Sequence, residues 1–157
     1  MQSLKELYKI GCGPSSSHTI GPERACAFFS QKHRNADRFE AILYKSLAKT
    51  GKGHCTDYVI KKTFSPTFCD VVFDTEYDGV SHPNTFDLIA YAGDRALERI
   101  RVISVGGGSV VIEGEPTFEL PHSYRENRFD EIAELCRERD IRLWEYVLEN
   151  EDADFLS

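Results

Sequence analysis

The run Gly11-Cys12-Gly13-Pro14-Ser15-Ser16-Ser17-His18-Thr19-Ile20-Gly21-Pro22 constrains this chain more than any other stretch. Three consecutive hydroxyls and an imidazole stand between glycines and prolines, directly ahead of an apolar helical segment. A loop of this kind adds little to a core. It presents backbone N–H groups, hydroxyls and one titratable base to a small anion at a helix N-terminus. Ser15, Ser16 and Ser17 are expected to cap the following helix and to hydrogen-bond a carboxylate. The positive end of the helix dipole favours such an anion by roughly 0.3–2 kcal/mol. His18, with an ordinary pKa of about 6.5, can take or give a proton at neutral pH. The plainer alternative is a capping loop whose half-buried histidine only makes hydrogen bonds, and the loop by itself does not separate the two.

The chain of 157 residues is long enough for one buried core and predicts a single domain over 1–157. Its net charge of −7 counts against nucleic acid or an anionic membrane as partner, since both need a basic footprint. A small anionic ligand, which responds only to local groups, stays open. No apolar run approaches the roughly 20 residues that cross a bilayer. The start Met1-Gln2-Ser3-Leu4-Lys5-Glu6 has no apolar signal region, so a cytoplasmic location is expected. Five cysteines (Cys12, Cys26, Cys55, Cys69 and Cys136) are odd in number, widely spaced and without a C-x-x-C pair. They are expected as reduced thiols, with no zinc or iron–sulfur site built by this chain alone.

Along the chain, Gly21 to His33 predicts a helix, with Pro22 in its first turn and Ala25, Cys26, Phe28 and Phe29 as its apolar face. Arg38 to Lys49 alternates Phe39, Ala41, Leu43, Lys45 and Leu47, a strand period. After a tight loop at Thr50-Gly51-Lys52-Gly53, His54 to Phe64 predicts a helix. Asp70 to Tyr77 and His82 to Tyr91 predict strands, and Ala92-Gly93-Asp94-Arg95 a hairpin returning along Ala96 to Val105. Gly106-Gly107-Gly108 reads as a bulge or close-packing device ahead of Ser109 to Ile112. Glu113 to Arg125, with Pro116 and Pro121, is irregular. Phe129 to Arg139 and Ile141 to Glu149 predict helices, followed by an acidic, solvated end. Strands and helices do not alternate strictly, so the expected class is α+β, one domain with a mixed or antiparallel sheet packed by helices.

Two further segments carry chemistry. Gly51-Lys52-Gly53-His54 offers a cation and a second imidazole on a permissive backbone, and lacks the spacing of a phosphate-binding P-loop. His82-Pro83-Asn84-Thr85 sets an amide beside a rigid proline, and Asn84 can both donate to and accept from an amino acid. A serine nucleophile is not supported: there is no G-x-S-x-G elbow and no assignable acid–histidine pair. His33 and His122 match no motif and read as surface residues.

Four ordered segments together resemble the β domain, or β subunit, of iron–sulfur-dependent L-serine dehydratases. They are Pro14-Ser15-Ser16-Ser17-His18-Thr19 with its glycines, Thr50-Gly51-Lys52-Gly53-His54-Cys55-Thr56-Asp57, His82-Pro83-Asn84-Thr85, and Ser104-Val105-Gly106-Gly107-Gly108. The resemblance implies an α+β fold similar to the allosteric substrate-binding domain of some D-3-phosphoglycerate dehydrogenases. It implies deamination of L-serine to pyruvate and ammonia, a step of amino-acid degradation that feeds gluconeogenesis. A [4Fe–4S] cluster carried by an α subunit or α domain acts there as Lewis acid on the serine hydroxyl. On this reading His18 is the base for the α-proton. Ser15, Ser16, Ser17 and Thr19 orient substrate or base, and Lys52, His54 and Asn84 help to close the site. No metal ligand is assigned to this chain. The chain departs from the family pattern at Cys12, at Cys55 (where glycine is usual) and at Ser109 (where a bulky aromatic is common).

The first expectation is therefore the β part of an L-serine dehydratase, inactive without its α part. The second is a regulatory module that binds a small carboxylate such as an amino acid, with His18 tuning affinity. A self-sufficient hydrolase is a weaker third. L-serine against L-threonine preference and oligomeric state, a homodimer included, stay open.

Overall fold

Alternation of apolar and polar residues builds the sheet at the centre of this protein. The structure is a computed structural model that describes residues 3–4, 10–115 and 123–151. Its strands are β1 (Arg38–Tyr44), β2 (Phe68–Asp74), β3 (Thr85–Ala92), β4 (Arg95–Gly106) and β5 (Ser109–Ile112). They form one sheet in the order β2-β1-β3-β4-β5. β1 and β2 run parallel, with Ala41 opposite Val71, and the remaining neighbours are antiparallel. The fold is thus α+β with a mixed sheet. Three helices accompany the sheet: α1 (Ile20–Lys32), α2 (Lys45–Thr50) and α3 (Thr56–Phe64). A parallel pair needs a crossover, and α2 and α3 supply it between β1 and β2.

One face of the sheet holds the core. Phe39, Ala41 and Leu43 of β1, Phe86, Leu88 and Ala90 of β3, and Ile100 and Val102 of β4 point to it at period two. Ala25, Cys26 and Phe29 of α1, Leu47 and Ala48 of α2, and Ile60 and Phe64 of α3 cover them. Phe39 stacks on Phe64 with ring centroids 4.2 Å apart. Each such ring contributes about 1.5–3 kcal/mol by leaving water. The other face is polar at its centre. There the carboxylate of Asp87, its side chain 1% exposed, accepts hydrogen bonds from Tyr44, Arg99 and Arg101. Burial alone raises its pKa, but the bonds from Arg101, Arg99 and Tyr44 outweigh burial and hold it below the usual value.

The described residues fall into two compact units, 10–115 and 3–4 with 123–151. In the second unit, α4 (Phe129–Glu138) and α5 (Leu143–Asn150) bury Ile132, Cys136 and Tyr146 together with Tyr124. Glu151, buried, takes hydrogen bonds from the Tyr124 hydroxyl and the Leu4 N–H at 2.6 and 2.7 Å. Glu131 and Glu145 each accept the backbone N–H three residues back, closing the first turns of α4 and α5.

Several sequence expectations are corrected. The strand period across Arg38 to Lys49 stops at Tyr44, and residues 45–50 are helical. Leu47 and Ala48 are adjacent yet both buried in one core, which a strand forbids and a helix allows. Lys45 enters that helix at φ +42° with its ammonium donating to the Val80 carbonyl at 2.6 Å. The third helix begins at Thr56, not His54, and β2 begins at Phe68. The glycine run closes a short turn between β4 and β5, with a register shift between Ser104 and Gly106. Residues 116–122, including Pro116, Pro121 and His122, and the acidic end beyond Glu151 lie outside the described residues.

Candidate functional site

The loop ahead of α1 is wound on its own backbone. The Ser15 carbonyl accepts the N–H groups of His18 and Thr19 at 3.0 and 2.9 Å, and the Ser16 carbonyl accepts that of Gly21 at 2.9 Å. Serine hydroxyls do not cap α1, contrary to the sequence expectation. Its N-cap is Thr19, which makes no side-chain cap bond. Thr19 is fully buried, with its hydroxyl between the carbonyls of Ser15 and Cys12. It fastens the loop from inside. Ser16 and Ser17 stay partly exposed, and their hydroxyls make no hydrogen bond among the described residues.

His18 is buried, 8% exposed. Its Nδ1 is 3.2 Å from the Ser15 hydroxyl and its Nε2 is 2.9 Å from the Thr50 hydroxyl. The His54 ring lies tilted against it, centroids 4.5 Å apart and planes inclined by 35°. Desolvation lowers the His18 pKa from its ordinary 6.5, and the neighbouring His54 lowers it further, against an opposing contribution from the Ser46 carbonyl. The ring is therefore neutral at pH 7, the form in which an imidazole accepts a proton.

α2 draws three of the sequence motifs together. At its start, the Ser46 N–H donates to the Pro83 carbonyl at 3.0 Å, which seats the turn around His82 and Asn84. At its end, Thr50 meets His18 through its hydroxyl and His54 through its carbonyl, which accepts from His54 Nδ1 at 2.9 Å. Gly51 follows, where an added Cβ meets the Leu47 carbonyl at 2.3 Å, so only glycine fits. The Asn84 N–H donates to His82 Nδ1 at 3.1 Å, and its carbonyl accepts the Ser104 N–H at 2.9 Å. Lys52 is exposed, with its ammonium 5.3 Å from the Phe73 ring centroid.

The fourth motif serves packing. Ser104 presses on Gly21 of α1, and the Gly108 carbonyl accepts from Arg24 at 3.5 Å. A hollow of about 390 Å³ beside Asp87, Arg99 and Arg101 is lined by none of the motif residues. Sequence alone assigns no site role to Ser46 or Thr50. The available signal was the position of Thr50 at the head of the segment that ends in Asp57.

The cysteines do not fit an iron–sulfur cluster. Among the described residues, no three His, Cys, Asp or Glu side chains are placed to hold a metal ion. Burial raises the thiol pKa of Cys69 to about 12 and that of Cys26 well above its usual value, so both stay protonated. Cys12 is half-buried and Cys55 is exposed.

A family model described as serine dehydratase beta chain matches residues 3–65. An L-serine dehydratase of Streptomyces coelicolor is 30% identical, over 96% of this chain and 44% of its own length. An L-serine dehydratase of Helicobacter pylori strain J99 is 44% identical, over 96% of this chain and 43% of its own length. L-serine dehydratase 2 of Escherichia coli K12 is 27% identical over the same 96% share of this chain and 43% of its own. The chain thus spans less than half the length of these relatives.

Proposed function

We propose that this chain belongs to the serine dehydratase β-chain family and is the β part of an L-serine dehydratase. Its substrate is L-serine, its products pyruvate and ammonia, and its partner an α subunit or α domain that carries a [4Fe–4S] cluster. The whole chain, 1–157, acts as one serine dehydratase β-type domain, in the cytoplasm. Among the described residues no helix is long and apolar enough to cross a membrane.

One observation carries the reading: a neutral, nearly buried imidazole at the point where α2 gathers three motifs. His18 takes the α-proton of L-serine. Loss of the β-hydroxyl as water gives aminoacrylate, which tautomerises and takes up water to release ammonia and pyruvate. The unengaged hydroxyls of Ser16 and Ser17 and the ammonium of Lys52 suit the substrate carboxylate. Ser15 and His54 border the His18 ring directly, and Asn84 lies on the turn seated against α2. Thr19, enclosed by the loop, acts by holding its shape.

The test is reconstitution. The isolated chain should form no pyruvate from L-serine, and anaerobic mixing with a cluster-loaded α part should restore turnover. Calorimetric binding of L-serine to the chain alone, with no turnover in the mixture, would favour a regulatory amino-acid-binding module instead.

A further inference from the structure

Two oxygens and one hydrogen decide the protonation pattern of His18. The Thr50 hydroxyl lies 2.8 Å from the Ser46 carbonyl and 2.9 Å from His18 Nε2. A carbonyl carries no hydrogen, so at 2.8 Å the Thr50 proton must lie between the two oxygens; otherwise lone pairs face each other. With its single proton committed there, Thr50 can only accept from the imidazole. His18 therefore carries its hydrogen on Nε2. The opposite nitrogen, Nδ1, is left with its lone pair, 3.2 Å from a Ser15 hydroxyl that can donate to it or rotate away.

We propose that Thr50 is the positioning residue that fixes His18 as the Nε2–H tautomer, and that Nδ1, on the Ser15 side, is the atom that accepts a proton. The tautomer stands on geometry alone; the use of Nδ1 toward the α-proton rests on the dehydratase reading. His54 joins this arrangement through the same residue. Its Nδ1–H donates to the Thr50 carbonyl, so Thr50 sets the protonation pattern of both neighbouring rings.

Long-range proton–nitrogen NMR on the 157-residue chain at about pH 8 reads the tautomer without reference to turnover. We expect His18 Nδ1 at the shift of an unprotonated nitrogen and Nε2 at that of a protonated one. Thr50→Ser, which keeps the hydroxyl, should leave the pattern intact. Thr50→Val, or Thr50→Ala should valine disturb folding, should give a tautomer mixture. A wild-type ring protonated on Nδ1 overturns the proposal, and so does an unchanged pattern in a folded valine or alanine variant. In the reconstituted mixture, Thr50→Val should lower kcat about tenfold or more with little change in KM, and Thr50→Ser should restore it. If the tautomer is as expected but His18→Ala retains full turnover, the use of His18 Nδ1 as the base fails and the assignment of Thr50 stands; if the wild-type mixture forms no pyruvate, it is the dehydratase reading that fails.

Discussion

Cys55 sits at φ +58° and ψ +29°, a left-handed conformation that costs a side-chain-bearing residue about 1–2 kcal/mol and glycine almost none. Cys55→Gly should therefore raise stability by about 0.5–1 kcal/mol, net of the extra freedom glycine gains when unfolded. A thermal melt checks this; an unchanged or lower midpoint would show that the exposed cysteine makes a compensating contact. His18 acts in the opposite direction as acid is added. Its folded pKa lies below the ordinary 6.5, so the unfolded chain binds the proton first. The associated stability is present above pH 6.5 and is lost as pH falls from there through the lowered pKa. Denaturation of the wild type and of His18→Gln across that range should show the wild-type advantage shrinking toward acid, and a constant or growing advantage would refute the burial argument.

At the level of elements, α1 and β4 meet where a glycine allows it. A Cβ on Gly21 would stand 2.3 Å from the Ser104 hydroxyl, which is itself buried and has no hydrogen-bond partner among the described residues. Gly21→Ala should cost about 1–3 kcal/mol. Ser104→Ala should be neutral or slightly stabilising, since it removes an unsatisfied buried group, and should recover part of the Gly21→Ala loss in the double variant. Equal destabilisation in the single and double variants would rule out this contact as the cause. α1 and the β3–β4 hairpin were legible because their apolar residues keep one period and Gly93, at φ +57°, marks the turn. α2 was not, because Leu43, Lys45 and Leu47 also satisfy a period of two; only burial of Leu47 beside Ala48 reveals the helix. The polar cluster at Asp87 was hidden for a related reason. β3 carries a single charged residue, and only the register sets that residue, Asp87, opposite Arg101. The Ser-His loop could be recognised from its residues, but the meeting of Thr50 with His18, 32 positions apart, is a tertiary event that no local pattern carries.

For the whole molecule, the separation of roles is the central feature. This chain holds a neutral imidazole in a loop of hydroxyls, and burial keeps the thiols of Cys26 and Cys69 protonated. On the proposed function, proton removal belongs to this chain and leaving-group activation to the α part. That division is tested most directly by the rate of pyruvate formation from L-serine in an anaerobic mixture of the α part with this chain, wild type against His18→Ala. The account predicts a loss of about 100-fold or more, as for removal of a general base, with the variant's circular dichroism unchanged. Wild-type turnover by a folded His18→Ala chain would contradict it.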